Sequence, residues 1–131
     1  MSKMALEGIR VADFSWVWAG PYCTSLLGYL GAEVIKIERP EGDIARKHGP
    51  YLHDEVNPET SGIFLYENTN KKGITLNLET QTGREIFKKL VAGTDILLED
   101  TKAGTMESLG LGYEELKKLN PGLIMASITN F

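Results

Sequence analysis

The side chains of this chain best suited to hold a ligand are its cations and one turn of small residues. Arg39 follows directly on the strand-like run Glu33 to Glu38. A planar guanidinium there can stack on a base and bind phosphate oxygens at two points. Arg46, Lys71, Lys72 and Lys102 could complete a local cationic pocket for one polyanionic cofactor. Lys71 and Lys72 nevertheless read better as a solvated turn than as a paired phosphate clamp. Ala19, Gly20 and Pro21 form a turn whose small side chains admit close backbone approach. Asp13, Asp95 and Glu99 are carboxylates, but nothing places two of them at glycosidase or protease spacing, so their default roles are structural. Cys23 is the only cysteine, which excludes an internal disulfide, and its place in an apolar helix reads as a buried thiol. His48 and His53 lie in a polar stretch with neither helical nor finger-type ligand spacing; they read as surface histidines, and no metal is expected. Trp16 and Trp18 share a side if the backbone between them is extended, one as pocket wall and the other as packing.

These residues need a scaffold, and the pattern around them supplies one. Ile9 to Phe14 reads as a buried strand ending at Ser15. Pro21 suits the first position of the helix that follows, with Leu26, Leu27 and Leu30 on its apolar side and Gly31 as its stop. Glu33 to Glu38 is the second strand. This strand, helix, strand unit presents a ligand at the carboxyl ends of its strands, where helix N-terminal amides favour anions. Pro40 to Thr60, broken by proline and glycine, reads as a long loop. A short helix is expected over Ser61 to Asn68 and a strand over Ile74 to Leu78, where apolar residues alternate with Thr75 and Asn77. A helix from about Thr82 to Ala92 turns Ile86, Phe87, Leu90 and Val91 inward, with a capping box from Thr82 to Glu85 and Thr80 as a competing cap. Asp95 to Glu99 reads as a buried strand, Tyr113 to Leu119 as a short amphipathic helix, and Gly122 to Ile128 as a final strand.

This alternation belongs to the α/β class with a parallel or mixed sheet. The chain has 131 residues, enough for about one domain. A strand as apolar as Leu123 to Ile128 should be central and feed a further helix, yet the sequence stops at Phe131, so the expectation is a truncated domain occupying 1–131. The formal charge of −4 argues against a general nucleic-acid binder. No apolar run approaches a membrane span, and Met1 to Glu7 holds no signal-peptide core, so a cytoplasmic protein without a membrane partner is expected.

Three segments, GIRVADFSWVWAGPYCTSLLGYLGAEVIKIERPEGD, NKKGITLNLETQTGREIFKKLVAGTDILLED and LGLGYEELKKLNPGLIMASITNF, together resemble the N-terminal part of the family III (CaiB/BaiF) CoA-transferases. The resemblance covers nearly the whole chain and about the first third of a full family member. It implies a partial Rossmann-like large domain without the smaller second domain, and an interlocked homodimer for the complete protein. It implies coenzyme A or acyl-CoA and a carboxylic acid as substrates, with CoA passing from one acyl group to another. In that family an aspartate carboxylate attacks the thioester to give a mixed anhydride and CoA thiolate. That aspartate would lie beyond Phe131, so no catalytic residue is assigned. The resemblance implies coenzyme contacts at Trp18 and Ala19 in the turn after the first strand, and at Arg39 beside the adenine and phosphate end. It implies further contacts at Leu76 and Asn77, and at Asp100, Thr101 and Lys102. Glu79 and Ser108 stand where a relative carries lysine and arginine. Two other readings stay open: a noncatalytic CoA- or nucleotide-binding module, and a fragment like the acyl-CoA racemases.

Overall fold

The computed structural model describes residues 3–129. Five strands, β1 (Arg10–Phe14), β2 (Glu33–Glu38), β3 (Lys72–Thr75), β4 (Ile96–Glu99) and β5 (Ile124–Ser127), form one sheet. Every pairing is parallel, and the strand order β3-β2-β1-β4-β5 is that of a doubly wound sheet, with β1 at the centre and the chain reversing direction across the sheet between β3 and β4. The helices are α1 (Ala19–Tyr29), α2 (Gly62–Asn68), α3 (Gln81–Val91), α4 (Thr105–Ser108) and α5 (Tyr113–Leu119).

The two faces of the sheet differ in chemistry. Ala12 and Phe14 of β1, Ile37 of β2 and Leu97 of β4 turn to one side, where Phe87, Val91 and Leu116 of α3 and α5 close a dry core. Each such large side chain contributes about 1.5–3 kcal/mol by leaving water. The alternate residues face α1, where Val11 and Val34 make a smaller apolar cluster and Asp13 and Lys36, paired in register, follow them toward the carboxyl edge. A charged pair therefore lies buried beneath α1.

The expected leucine face of α1 is corrected by this arrangement. Its buried residues are Gly20, Pro21, Thr24, Ser25 and Gly28, while Leu26 and Leu30 are exposed. Small residues face the sheet because the helix sits close: a Cβ on Gly20 would lie 2.2 Å from Ser15 Oγ and 2.9 Å from Leu98. Pro21 is the third helical residue rather than the first, and Cys23 is partly exposed rather than buried. Strand β3 begins and ends earlier than its alternation suggests, because β2 stops at Glu38 and the Leu76 amide makes the last bond to it, 2.9 Å to the Glu38 carbonyl. Thr80, not Thr82, caps α3 by accepting from the Gly83 amide at 3.0 Å. Among the described residues β5 lies at an edge of the sheet, with Ile124 61% exposed. The loop after β2 holds three short 3-10 turns and is pinned at both ends, by buried Asp43 and by Ser61, whose hydroxyl shares its one proton between the Ala45 and His48 carbonyls, each 2.7 Å away. His48 and His53 are exposed.

Candidate functional site

The carboxyl ends of β1, β2 and β4 and the segment after β3 surround a hollow of about 370 Å³. Arg39 stands at its edge, one residue past β2, and its guanidinium carbon lies 4.0 Å from the centroid of the Trp16 ring. Trp16 in turn meets Phe14 edge-on at 4.7 Å, and Phe14 meets Phe87 at 5.7 Å. The cation thus rests on an aromatic ladder rooted in the core. It takes part in none of the ion pairs among the described residues. Its donors are consequently available to a ligand.

Arg39, Leu76, Asn77 and Thr101 share this hollow. Asn77 shapes the segment after β3 by accepting from the Glu79 amide at 3.0 Å through its side chain. The Thr101 hydroxyl donates to Glu99 at 2.6 Å, so its oxygen remains an acceptor toward the hollow. Glu41 and Glu79 add negative charge to the lining, leaving Arg39 as the cation there. Trp18 and Ala19 line a separate apolar hollow of about 320 Å³ between α1 and α2, with Tyr22, Tyr66 and Glu67. Asp100 lies behind Trp16, accepting from its amide at 2.7 Å, and Lys102 is exposed on the turn after β4.

The two tryptophans part company because Val17 between them is not extended. Its φ of 67° is in the left-handed region, which a β-branched residue enters only when its surroundings hold it there. Asp43 supplies part of that hold. Its Oδ1 accepts from the Val17 amide at 3.2 Å and from the Ala45 amide at 2.8 Å, while its Oδ2 pairs with Lys36 Nζ at 2.7 Å. Lys36 also donates to the Ser15 carbonyl. On the other side of the turn, Asp13 accepts from Ser15, from Thr24 at 2.7 Å and from Lys71 at 2.8 Å. Lys71 is therefore not the solvated turn residue expected from its sequence. Burial lowers its pKa, and Asp13 opposes that shift. Lys72, by contrast, is exposed and pairs with Glu33.

Lys36 and Asp43 are absent from the residues singled out for the site, yet they hold its turn, and Trp16, left open between pocket wall and packing, is the seat of Arg39. A signal was present for Lys36: a lysine in the middle of EVIKIE, within a strand covered on both faces, requires a buried partner. Burial is the first influence on Glu38 as well and would raise its pKa, but Arg46 and the Asp43 amide outweigh it and hold the carboxyl below the usual range.

Among the described residues no helix is long and apolar enough to cross a membrane. A profile of the family described as CoA-transferase family III matches residues 6–131. The chain is 46% identical over 127 residues to a succinyl-CoA:mesaconate CoA-transferase of Haloarcula marismortui, covering 97% of this chain and 32% of that protein. It is 44% identical to a mouse succinyl-CoA:glutarate CoA-transferase, covering 99% of this chain and 29% of that one. The crystal structure of a CaiB/BaiF family protein from Brucella suis superposes with a TM-score of 0.89 at 39% identity, over 99% of this chain and 34% of that one. The chain thus spans about a third of the length of these relatives. With a doubly wound parallel sheet, a hollow at its carboxyl edge and a profile match over nearly every residue, the chain belongs to CoA-transferase family III.

Proposed function

We propose that this chain supplies the coenzyme-binding portion of an enzyme that moves CoA from an acyl-CoA to a carboxylic acid. The observation that carries the reading is Arg39 laid on Trp16 at the carboxyl edge of the sheet, without a carboxylate partner among the described residues. In that pose the guanidinium can bind phosphate oxygens in two places while the hollow beside it receives the adenosine. Leu76, Asn77 and Thr101 would form its wall, and Trp18 and Ala19 would lie along the coenzyme arm as it crosses the turn after β1. Asp100 and Lys102 would frame the turn after β4.

The buried aspartates that hold the turn after β1 fit a structural role better than attack. Both oxygens of Asp13 and both of Asp43 are taken by hydrogen bonds and lysines, which lowers their nucleophilicity. On this reading the carboxylate that attacks the thioester carbonyl, forming the acyl–oxygen bond as the carbon–sulfur bond breaks and the thiolate departs, belongs to a residue outside those described here.

Calorimetric titration of the purified protein with CoA, dephospho-CoA and ATP tests the binding. Saturable binding that favours CoA over dephospho-CoA by about tenfold is expected, the worth of one charge-assisted phosphate contact. A folded sample that takes up none of the three would end the reading.

A further inference from the structure

Three shielded side-chain polar atoms lack a hydrogen-bond partner among the described residues: Trp16 Nε1, Glu67 Oε2 and Asp100 Oδ1. Two of them belong to one contacting pair, joined by the 2.7 Å bond from the Trp16 amide to Asp100 Oδ2. The indole of that pair carries the Arg39 guanidinium, whose carbon lies 4.0 Å from the ring centroid.

We propose that Asp100 is a titrating positioning residue: it anchors Trp16 through its amide so that the indole carries Arg39, and in its protonated form it spares a polyanionic ligand a negative charge near that guanidinium. The inference rests on the reading of the hollow as a coenzyme pocket.

The charge arrangement supports it. The charges that act on Asp100 are those of Lys36 from β2, Asp13 from β1 and Asp43 from the loop after β2. Lys36 is engaged by Asp43 and Lys71 by Asp13, so each ammonium already has its carboxylate. Two lysines set against three aspartates leave Asp100 without a cation of its own. On its own segment, Glu99 is turned to the Thr101 amide and hydroxyl, at 2.7 and 2.6 Å, and Lys102 points into solvent. An ionised Asp100 would therefore hold a charge on a shielded oxygen that no donor reaches, whereas a proton on Oδ1 leaves a neutral hydroxyl, which costs less to shield than a charge, and keeps Oδ2 to accept from Trp16. Burial pushes its pKa up to about 6, against the pull of the Trp16 amide and Lys36 and with the help of Asp13 and Asp43.

Two measurements on the wild type, Asp100→Asn and Asp100→Ala decide the matter. The first is the carbon-13 carboxyl titration of Asp100, assigned by its loss in Asp100→Asn, followed together with the Trp16 amide proton. A shared midpoint near pH 6 is expected; a midpoint near 4, or an amide that does not follow the carboxyl, overturns the proposal. The second is CoA affinity from pH 5 to 8, with Asp100→Asn as the baseline that absorbs the titration of the coenzyme's own phosphates. Relative to that variant, wild-type affinity should fall on the order of tenfold as pH rises, the effect of one added charge near the site. Asp100→Ala should bind more weakly than Asp100→Asn at every pH, because it lacks the acceptor for Trp16. Equal profiles for wild type and Asp100→Asn refute the proposal while leaving the pocket intact. Absence of CoA binding in all three proteins refutes the pocket reading instead, and the carboxyl titration then decides the protonation and the Trp16 anchor without a ligand.

Discussion

Arg39 and Arg46 carry the same guanidinium in surroundings that give them different work. Arg46 is engaged three ways: two bonds to Glu38 at 2.7 and 2.8 Å, one to Glu59 at 3.0 Å, and a stack on Phe64 at 3.6 Å. Arg46→Ala should destabilise the fold by about 3 kcal/mol, since Glu38 would be left buried without its cation. Arg39→Ala should cost less than about 1 kcal/mol of stability and weaken CoA binding by 10- to 100-fold, roughly the value of a charge-assisted contact. Chemical denaturation and calorimetry on the two variants check this, and equal losses of affinity would remove Arg39 from the site. A second residue-scale expectation concerns pH. Asp100 has an ordinary value of 3.8 and a folded value of about 6, so the folded state favours its proton. Its destabilising effect is absent below the unfolded value and complete above the folded one; stability should therefore fall by at most roughly 3 kcal/mol as pH rises from about 4 to 6. Glu38 acts in the opposite sense, because a depressed carboxyl loses its stabilising effect as pH falls. The urea midpoint of Asp100→Asn should therefore gain on that of the wild type across this window and then run parallel; a constant gap would contradict it.

At the scale of elements, the wall of the hollow depends on how closely α3 approaches the segment after β3. A Cβ on Gly83 would lie 1.9 Å from the Asn77 carbonyl oxygen, a backbone atom that cannot swing aside. Gly83→Ala should destabilise the protein by more than about 2 kcal/mol and displace Asn77, whereas Thr80→Ala should cost only about 1 kcal/mol by removing the helix cap. Thermal melts of the two variants give the ordering, and an equal effect would show that the close approach relaxes cheaply. The same closeness explains what could be read in advance. Strand β2 and helix α5 have the bounds that their apolar periodicity and flanking breakers imply. The inward face of α1 was hidden, since periodicity marks leucines and cannot report that the sheet lies too near for them. Strand β3 was misplaced because alternation persists through Leu78 although its partner strand ends at Glu38. Arg39 was legible as a cation at a strand end; its seat on Trp16 was not, because the turn at Val17 parts the two tryptophans, Trp18 lining the hollow between α1 and α2 while Trp16 packs on Phe14.

Across the whole molecule, the face that α1 turns away from the sheet carries the consequence of that close packing. Trp18, Tyr22, Leu26 and Tyr29 recur at helical spacing on its outer side, and Leu65 and Tyr66 of α2 add to the exposed apolar surface. Ser25 of α1 donates to the Glu67 carbonyl of α2, which holds the two helices together. Trp18 is 54% exposed, Leu26 44% and Tyr66 65%, so water contacts large apolar areas on adjacent helices. Surfaces of this kind on soluble proteins are normally covered by further polypeptide or by a partner. The sheet adds to the tendency: β3 and β5 are its edges, and Ile124 stands exposed on β5. The 131-residue protein should therefore self-associate at micromolar concentration. Replacing Leu26 and Tyr66 together by lysine should shift it toward monomer without lowering its melting temperature, because neither side chain is part of either buried cluster. Sedimentation velocity on the two proteins reads the outcome directly. If the wild type sediments as a monomer, or the double variant associates as strongly as the wild type, these helices do not form the association surface.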